Sequence, residues 1–279
     1  MNLHRLSILG VGLLGGSLGL AVKKAFSDCR VMGYGHRPDS LDRALAMGAI
    51  DESSADPVRA VEGADLVVLC TPVQTIGPLL RQVAPALKPG AIVTDVGSTK
   101  RSIVRAAREG LGKNVRFVGS HPMAGSEKRG VEFARPDLFA GAVCILTPHP
   151  NDDPDTVGDV ERFWQAVGMK TTRLSPDEHD HLLACVSHLP HALAAALVSM
   201  QPDDALGLAG NGFRDVTRIA AGDPGLWRDI LVDNADEVRR SLRSFRAGLD
   251  ELDAALEAAD AAAVEAFLAR AAERRKKLK

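Results

Sequence analysis

Through its first half the chain alternates short apolar runs with stretches whose apolar positions recur every three to four residues. The apolar runs are Leu6–Leu9, Arg30–Tyr34, Leu66–Cys70, Ala91–Asp95, Val115–Gly119 and Ala142–Thr147, each of strand length. Several close on turn or cap residues: Gly10, Thr71-Pro72, Gly97-Ser98 and Pro122. Leu41–Met47 and Thr99–Leu111 carry helical spacing between them. Such alternation predicts a parallel sheet covered on both faces. Lys170–Leu174 is expected to close the same sheet.

The pattern changes at Ser175. Ser175-Pro176-Asp177-Glu178 predicts a helix start, with Ser175 as N-cap, Pro176 at the first helical position and Glu178 completing a capping box. The helix is predicted to run to Met200, with Pro190 as a kink. Asp223-Pro224 opens another, over Leu226–Leu249, and Asp260–Leu278 is the last. Two domains are therefore expected, 1–175 α/β and 176–279 all-helical.

Composition excludes more than it assigns. Of 279 residues, 46% are hydrophobic and 25% charged, which is ordinary for a globular chain, and a net charge of −2 offers no footprint for nucleic acid. Cys29, Cys70, Cys144 and Cys185 are scattered without a C-x-x-C pair, so reduced, structural thiols are expected. The N-terminus runs directly into a strand rather than a signal peptide, and no apolar stretch reads as a membrane span. A cytoplasmic location without membrane contact is the expectation.

Gly10-Val11-Gly12-Leu13-Leu14-Gly15 is a G-x-G-x-x-G turn between the first strand and the first helix. Its glycines allow a tight turn, close approach of backbone to a pyrophosphate, and close helix–strand packing. The helix N-terminus then offers free N–H groups to phosphate. The first domain is thus expected to be a Rossmann-type dinucleotide carrier. Gly10, Gly12, Leu13, Leu14 and Gly15, with Thr71 and Pro72 at the end of the third predicted strand, form the cofactor set. The second strand ends Gly33-Tyr34-Gly35-His36-Arg37. Gly35 stands where an acidic residue would hold the ribose of NAD, and His36 and Arg37 follow it, so the cofactor is NAD(P)+ with a lean to NADP+.

Ligands of open α/β sheets bind beyond the carboxyl ends of the strands, and there the chain carries Gly97-Ser98-Thr99-Lys100 and Ser120-His121-Pro122. His121 is the candidate base, since a neutral imidazole is poised to take a hydroxyl proton near pH 7. Ser98 is placed to hydrogen-bond both that ring and a substrate hydroxyl, or to cap the following helix. Asp180, Ala184, Ser187, His188 and His191 share one helical face, a polar stripe on an otherwise apolar helix. His179, His181, His188 and His191 lack the carboxylate or cysteine of a familiar metal site, so no metal is expected. Gly210–Ala220 joins glycines to Arg214 and Arg218, which reads either as a carboxylate site or as a loop with Arg218 paired to Asp215.

These segments together resemble the prephenate/arogenate dehydrogenase family. The motifs that carry the resemblance are G-V-G-L-L-G-G-S, D-V-G-S-T-K, G-S-H-P-M-A-G-S-E, V-S-H-L-P-H and G-F-R-D-V-T-R-I-A-A-G-D-P-G-L-W-R-D, and the resemblance extends from Gly10 to Arg239. The resemblance implies that His121 accepts the proton of the ring 4-hydroxyl with help from Ser98. It implies that His191 and Arg218 hold substrate carboxylates and that Glu127 lies near the mouth of the site. Ser126 and Ser187 complete the expected substrate-binding set. The implied reaction is oxidative decarboxylation of prephenate to 4-hydroxyphenylpyruvate, or of arogenate to tyrosine, in a homodimer joined through the helical domain. Two rivals remain. A β-hydroxyacid or imine dehydrogenase would place a lysine on the helix from Pro176 to Met200, which has none, and a non-catalytic dinucleotide sensor would not need His121, Ser98 and His191 in the crevice.

Overall fold

The computed structural model describes residues 3–112, 115–126 and 128–278. Its first domain holds strands β1 (Arg5–Leu9), β2 (Arg30–Tyr34), β3 (Glu52–Ser54), β4 (Leu66–Leu69), β5 (Ile92–Asp95), β6 (Arg116–Phe117), β7 (Gly119–Pro122), β8 (Val143–Thr147) and β9 (Lys170–Arg173). Helices α1 (Leu13–Ala25), α2 (Pro38–Ala46), α3 (Pro57–Val61), α4 (Val73–Val83), α5 (Arg101–Gly110) and α6 (Pro154–Ala166) separate them. Six strands form one parallel sheet in the order β3-β2-β1-β4-β5-β6. The strand order reverses between β1 and β4, and ligands of doubly wound sheets bind in the crevice at that point.

Alternation inside single strands builds two cores. All four residues of β4 are fully buried. Leu66 and Val68 join Leu6, Ile8 and Val31 on one face, and Val67 and Leu69 join Leu9, Ile76 and Leu80 on the other. A strand covered on both faces reads as a continuous apolar run, and that is why β4 was legible.

The expected strand Val115–Gly119 is in fact two. β6 stays in the parallel sheet, and β7 leaves it to pair antiparallel with β8, which pairs parallel with β9. Gly119 permits the crossing, because a Cβ there would collide with the Thr147 hydroxyl. Lys170–Arg173 therefore closes this second, three-stranded sheet and not the main one. β3 is short and polar and left no apolar signal.

The second domain contains α7 (Pro176–Leu183), α8 (Leu189–Ser199), α9 (Asp203–Gly207), α10 (Asn211–Thr217), α11 (Pro224–Asp233), α12 (Ala235–Glu257) and α13 (Ala261–Arg275). The capping box at Ser175 forms as expected, with Glu178 N–H donating to the Ser175 hydroxyl and Ser175 N–H to the Glu178 carboxylate. Between α7 and α8 the chain makes a π turn over Ala184–His188. Pro190 has no N–H to give the Val186 carbonyl, and the widened turn takes up that mismatch in place of a simple kink. The expected helix Leu226–Leu249 is broken at Asn234, which is fully buried.

Pro176–Ser199 is 24 residues long and contains an 18-residue window with a mean hydropathy of 1.6, so by length and composition it could cross a membrane. That corrects the expectation that no stretch is long enough. Its buried residues include His179, Asp180, His188 and His191, and the first of these hydrogen-bond to the α/β domain. Large apolar side chains stay exposed across the helical domain, among them Val186, Met200, Leu208, Val216, Val232, Leu256 and Leu268.

Candidate active site

The glycine turn lies where β1 meets α1. Gly10 has φ +110°, and a Cβ on it would sit 2.7 Å from the Cys70 carbonyl oxygen. A Cβ on Gly15 would overlap the Gly10 carbonyl, so the third glycine sets the close packing of α1 on the turn. A Cβ on Gly12 would meet nothing within 4 Å. The second glycine thus borders open space, as backbone approaching a pyrophosphate requires. No side chain caps α1 and no acidic residue occupies its first turn, where Leu13 and Leu14 lie, so the helix N–H groups and dipole are left for an anion. Across the crevice Thr71 Oγ1 is buried without a hydrogen-bond partner among the described residues, beside exposed Pro72. At the end of β2, His36 is exposed and its ring meets the Tyr34 hydroxyl at 3.1 Å. Arg37 is exposed at the N-cap of α2. These residues fit a dinucleotide.

His121 stands near the end of β7, 8% exposed. Its Nδ1 lies 2.9 Å from His179 Nε2, and His179 Nδ1 lies 2.8 Å from Asp180 Oδ1. Asp180 also accepts from Lys100 N–H at 2.7 Å, from Arg101 N–H at 3.0 Å and from Arg101 Nε at 3.2 Å. Burial opposes ionisation of this carboxyl, but the His179, Arg101 and Lys100 hydrogen bonds outweigh it and hold it below the usual carboxylate range. The chain of donors then assigns the tautomers. Asp180 is an ionised acceptor, so His179 Nδ1 carries the proton. Neutral His179 is bare at Nε2, so His121 must donate through Nδ1–H. That leaves His121 Nε2 as the lone-pair nitrogen, with no hydrogen bond to the described residues.

The imidazoles are held neutral. Burial first, then the neighbouring His179 and Lys100, push His121 well below the ordinary histidine value. Burial likewise lowers His179, against the pull of Asp180, and takes His188 down to about 4.

A second group of residues lies on α8 and the turns that follow. The His191 ring stacks on Trp227 with centroids 3.5 Å apart and planes 9° apart. Gly222 makes room for the stack, since a Cβ there would lie 2.6 Å from Trp227 Nε1. Burial lowers the His191 pKa, and its Nδ1 is enclosed without a partner among the described residues. A neutral His191 can give a carboxylate one hydrogen bond but no charge. Arg218 is exposed in the 3-10 turn Arg218–Ala221, which packs on α8. It forms no ion pair among the described residues, so the expected alternative, pairing with Asp215, does not occur.

Other candidates sit less simply. Ser98 is half-buried, and its hydroxyl has no protein partner among the described residues. It caps nothing, because α5 begins at Arg101 with Lys100 at the N-cap, and His121 donates its Nδ1–H hydrogen bond to His179 rather than pairing with Ser98. Ser187 is half-buried in the π turn. Ser126 is exposed and accepts Lys128 N–H at 3.2 Å. Glu127 lies outside the described residues. His181 turns away to bond Glu237 at 2.8 Å.

Sequence reasoning missed the roles of His179, Asp180 and Asn234. Asn234 Oδ1 accepts from Arg101 at 2.9 Å while its Nδ2 donates to the Asp180 carbonyl at 2.7 Å and to His188 Nδ1 at 3.2 Å. With Thr99 and Ser102 each donating to Asp233 at 2.6 Å, these bonds clamp the helical domain onto the start of α5.

The family models "Prephenate dehydrogenase, nucleotide-binding domain" and "Prephenate dehydrogenase, dimerization domain" match residues 18–173 and 175–270. Prephenate dehydrogenase of Bacillus subtilis is 35% identical over 270 residues, covering 94% of this chain and 73% of that one. Cyclohexadienyl dehydrogenase of Zymomonas mobilis is 35% identical, covering 91% and 89%. The Aquifex aeolicus prephenate dehydrogenase structure with hydroxyphenyl propionate and NAD+ superposes with a TM-score of 0.93 at 33% identity, covering 100% of this chain and 99% of that one. Synechocystis arogenate dehydrogenase gives 0.85 at 30% identity, covering 99% and 100%. With its two halves matched in order by both domain models and its whole length superposed, the chain belongs to the prephenate dehydrogenase family.

Proposed function

We propose that the chain oxidatively decarboxylates prephenate to 4-hydroxyphenylpyruvate, using a nicotinamide dinucleotide as oxidant. The observation that carries this reading is the Asp180–His179–His121 relay, which leaves a bare Nε2 at the carboxyl end of β7. Bound on the glycine turn, the dinucleotide would accept the hydride that leaves C4 of the substrate ring. His121 Nε2 takes the 4-hydroxyl proton as the carbonyl forms. His179 and Asp180 hold the ring in the reactive tautomer, as the carboxylate does in a serine-protease triad. Ser98, with its free hydroxyl, hydrogen-bonds the same oxygen. Departure of CO₂ from C1 then makes the ring aromatic.

Arg218 supplies the charge that a substrate dianion needs, and the neutral His191 supplies a hydrogen bond. Ser126 and Ser187 line the remaining substrate surface in this reading. For the dinucleotide, Gly35 and an exposed Arg37 that pairs with none of the described residues favour the 2′-phosphate of NADP+. The exposed apolar residues of α8 to α13 favour a homodimer through the helical domain, in the cytoplasm. The match to an arogenate dehydrogenase carries a second reading, with tyrosine as product. Initial rates for prephenate and arogenate, each with NAD+ and NADP+, decide between them. Turnover of neither substrate would overturn the proposal.

A further inference from the structure

We infer that Lys100 is a positioning residue for the base, acting through the buried ion pair it forms with Asp95. This rests on the assignment of His121 as the base. Both side chains are completely buried, and the Lys100 ammonium contacts the Asp95 carboxylate. The pair lies directly beside the peptide that precedes His121. Lys100 Nζ donates to the Ser120 carbonyl at 2.8 Å, and Asp95 Oδ1 accepts Ser120 N–H at 3.0 Å. One ion pair therefore grips both polar groups of the Ser120 backbone. Asp95 Oδ2 also accepts Gly97 N–H at 2.8 Å, which ties in the turn that carries Ser98.

The topology explains why this grip is needed. β5 and β6 share a parallel ladder, but β7 has left that sheet and pairs only with β8. At Ser120 the ladder bonds to β5 are absent, and a buried backbone group without a partner is costly. The Asp95 and Lys100 side chains replace the missing ladder at the residue next to the base. The Ser120 hydroxyl adds contacts to the Asp95 carbonyl at 2.5 Å, to Thr94 at 2.7 Å and to Trp164 Nε1 at 3.0 Å. Lys100 also reaches the base from its other side, because its own N–H donates to Asp180 at 2.7 Å, behind His179. A charge pair this deep is a weak source of net stability. Its return is geometric: it fixes where the His121 backbone enters the cleft.

The test compares Lys100→Met with the neutral pair Asp95→Asn/Lys100→Met, which strands no buried charge and so keeps the test open if the single variant fails to fold. Melting temperature, NAD+ dissociation constant, prephenate KM and kcat are measured for each, beside the parent and His121→Asn. The inference predicts that the neutral pair folds and binds NAD+ within threefold of the parent. Its kcat falls at least tenfold with KM nearly unchanged. A kcat within twofold of the parent overturns it, as does a neutral pair that fails to fold or loses cofactor affinity in step with kcat, for then the ion pair holds the whole sheet. Retained turnover in His121→Asn would instead remove the base and leave the structural observation standing.

Discussion

Replacing His179 with Ala would cut the relay at its middle. His121 Nδ1–H would lose its acceptor 2.9 Å away, inside a site where water has little access, and Asp180 would lose one of its donors. A buried polar group stripped of its partner costs about 1–3 kcal/mol. Part of that cost appears as stability. The part that matters for turnover is the loss of the enforced tautomer and ring orientation. If about 1.5–3 kcal/mol of it is expressed in the transition state, kcat falls roughly 10- to 150-fold, since each 1.36 kcal/mol is tenfold in rate. The cofactor turn is formed by other residues, so NAD+ affinity stays near the parent value. The acid limb of the pH–rate profile also moves. His179 is one of the groups that depress His121, and its removal lets the apparent pKa of the base rise, so activity is lost at higher pH on acidification. The assay is absorbance of the reduced nicotinamide at saturating substrate from pH 5 to 9, with folding checked by thermal melting. A folded variant with kcat within twofold of the parent and an unmoved acid limb would refute the relay.

Arg218→Ala should raise the KM of the dianionic substrate roughly 10- to 150-fold, the worth of a charged hydrogen bond at about 1.5–3 kcal/mol, with little change in cofactor KM; an unchanged substrate KM takes Arg218 out of the site. Arg37→Ala should weaken NADP+ about five- to thirtyfold, for an exposed phosphate contact of about 1–2 kcal/mol, and leave NAD+ alone; equal effects on both dinucleotides cancel the preference. Stability should fall on acidification between pH 6.5 and about 4. Unfolded histidines take up protons near 6.5 while native His188 stays neutral down to about 4, so its contribution is present above 6.5 and lost across that window. For His188 alone this amounts to about 3 kcal/mol, and urea midpoints at pH 7 and pH 4.5 measure it; equal midpoints would contradict the burial of neutral imidazoles.

What could be read from the sequence follows from how local each signal is. β4 announces itself because four consecutive apolar residues are buried on both faces, and the glycine turn because its three glycines fall within six consecutive residues between a strand and a helix. Ser175 to Glu178 is a complete cap in four residues. β7 was misread because its departure from the parallel sheet depends on the distant Thr147 and on Gly119 having no side chain, neither of which shows in the pattern of Val115–Gly119. The break at Asn234 was hidden for the same reason. Its partners Arg101, Asp180 and His188 are 133, 54 and 46 residues away. His179 stood in plain view as one of four clustered histidines, but its task depends on His121, 58 positions earlier. Ser98 follows β5, and its expected hydrogen bond to His121 is not formed because His121 pairs with the distant His179. The one local hint was Asp180 on the polar helical face, which could have been read as the anchor of its own neighbour.

The central claim is that a single nitrogen, His121 Nε2, is the proton acceptor in a dinucleotide-dependent oxidation. Measuring kcat and the NAD+ dissociation constant of His121→Asn tests it most directly. A kcat at least a thousandfold below the parent is expected, with NAD+ affinity within threefold. Turnover within tenfold of the parent, or cofactor binding lost together with turnover, would contradict it.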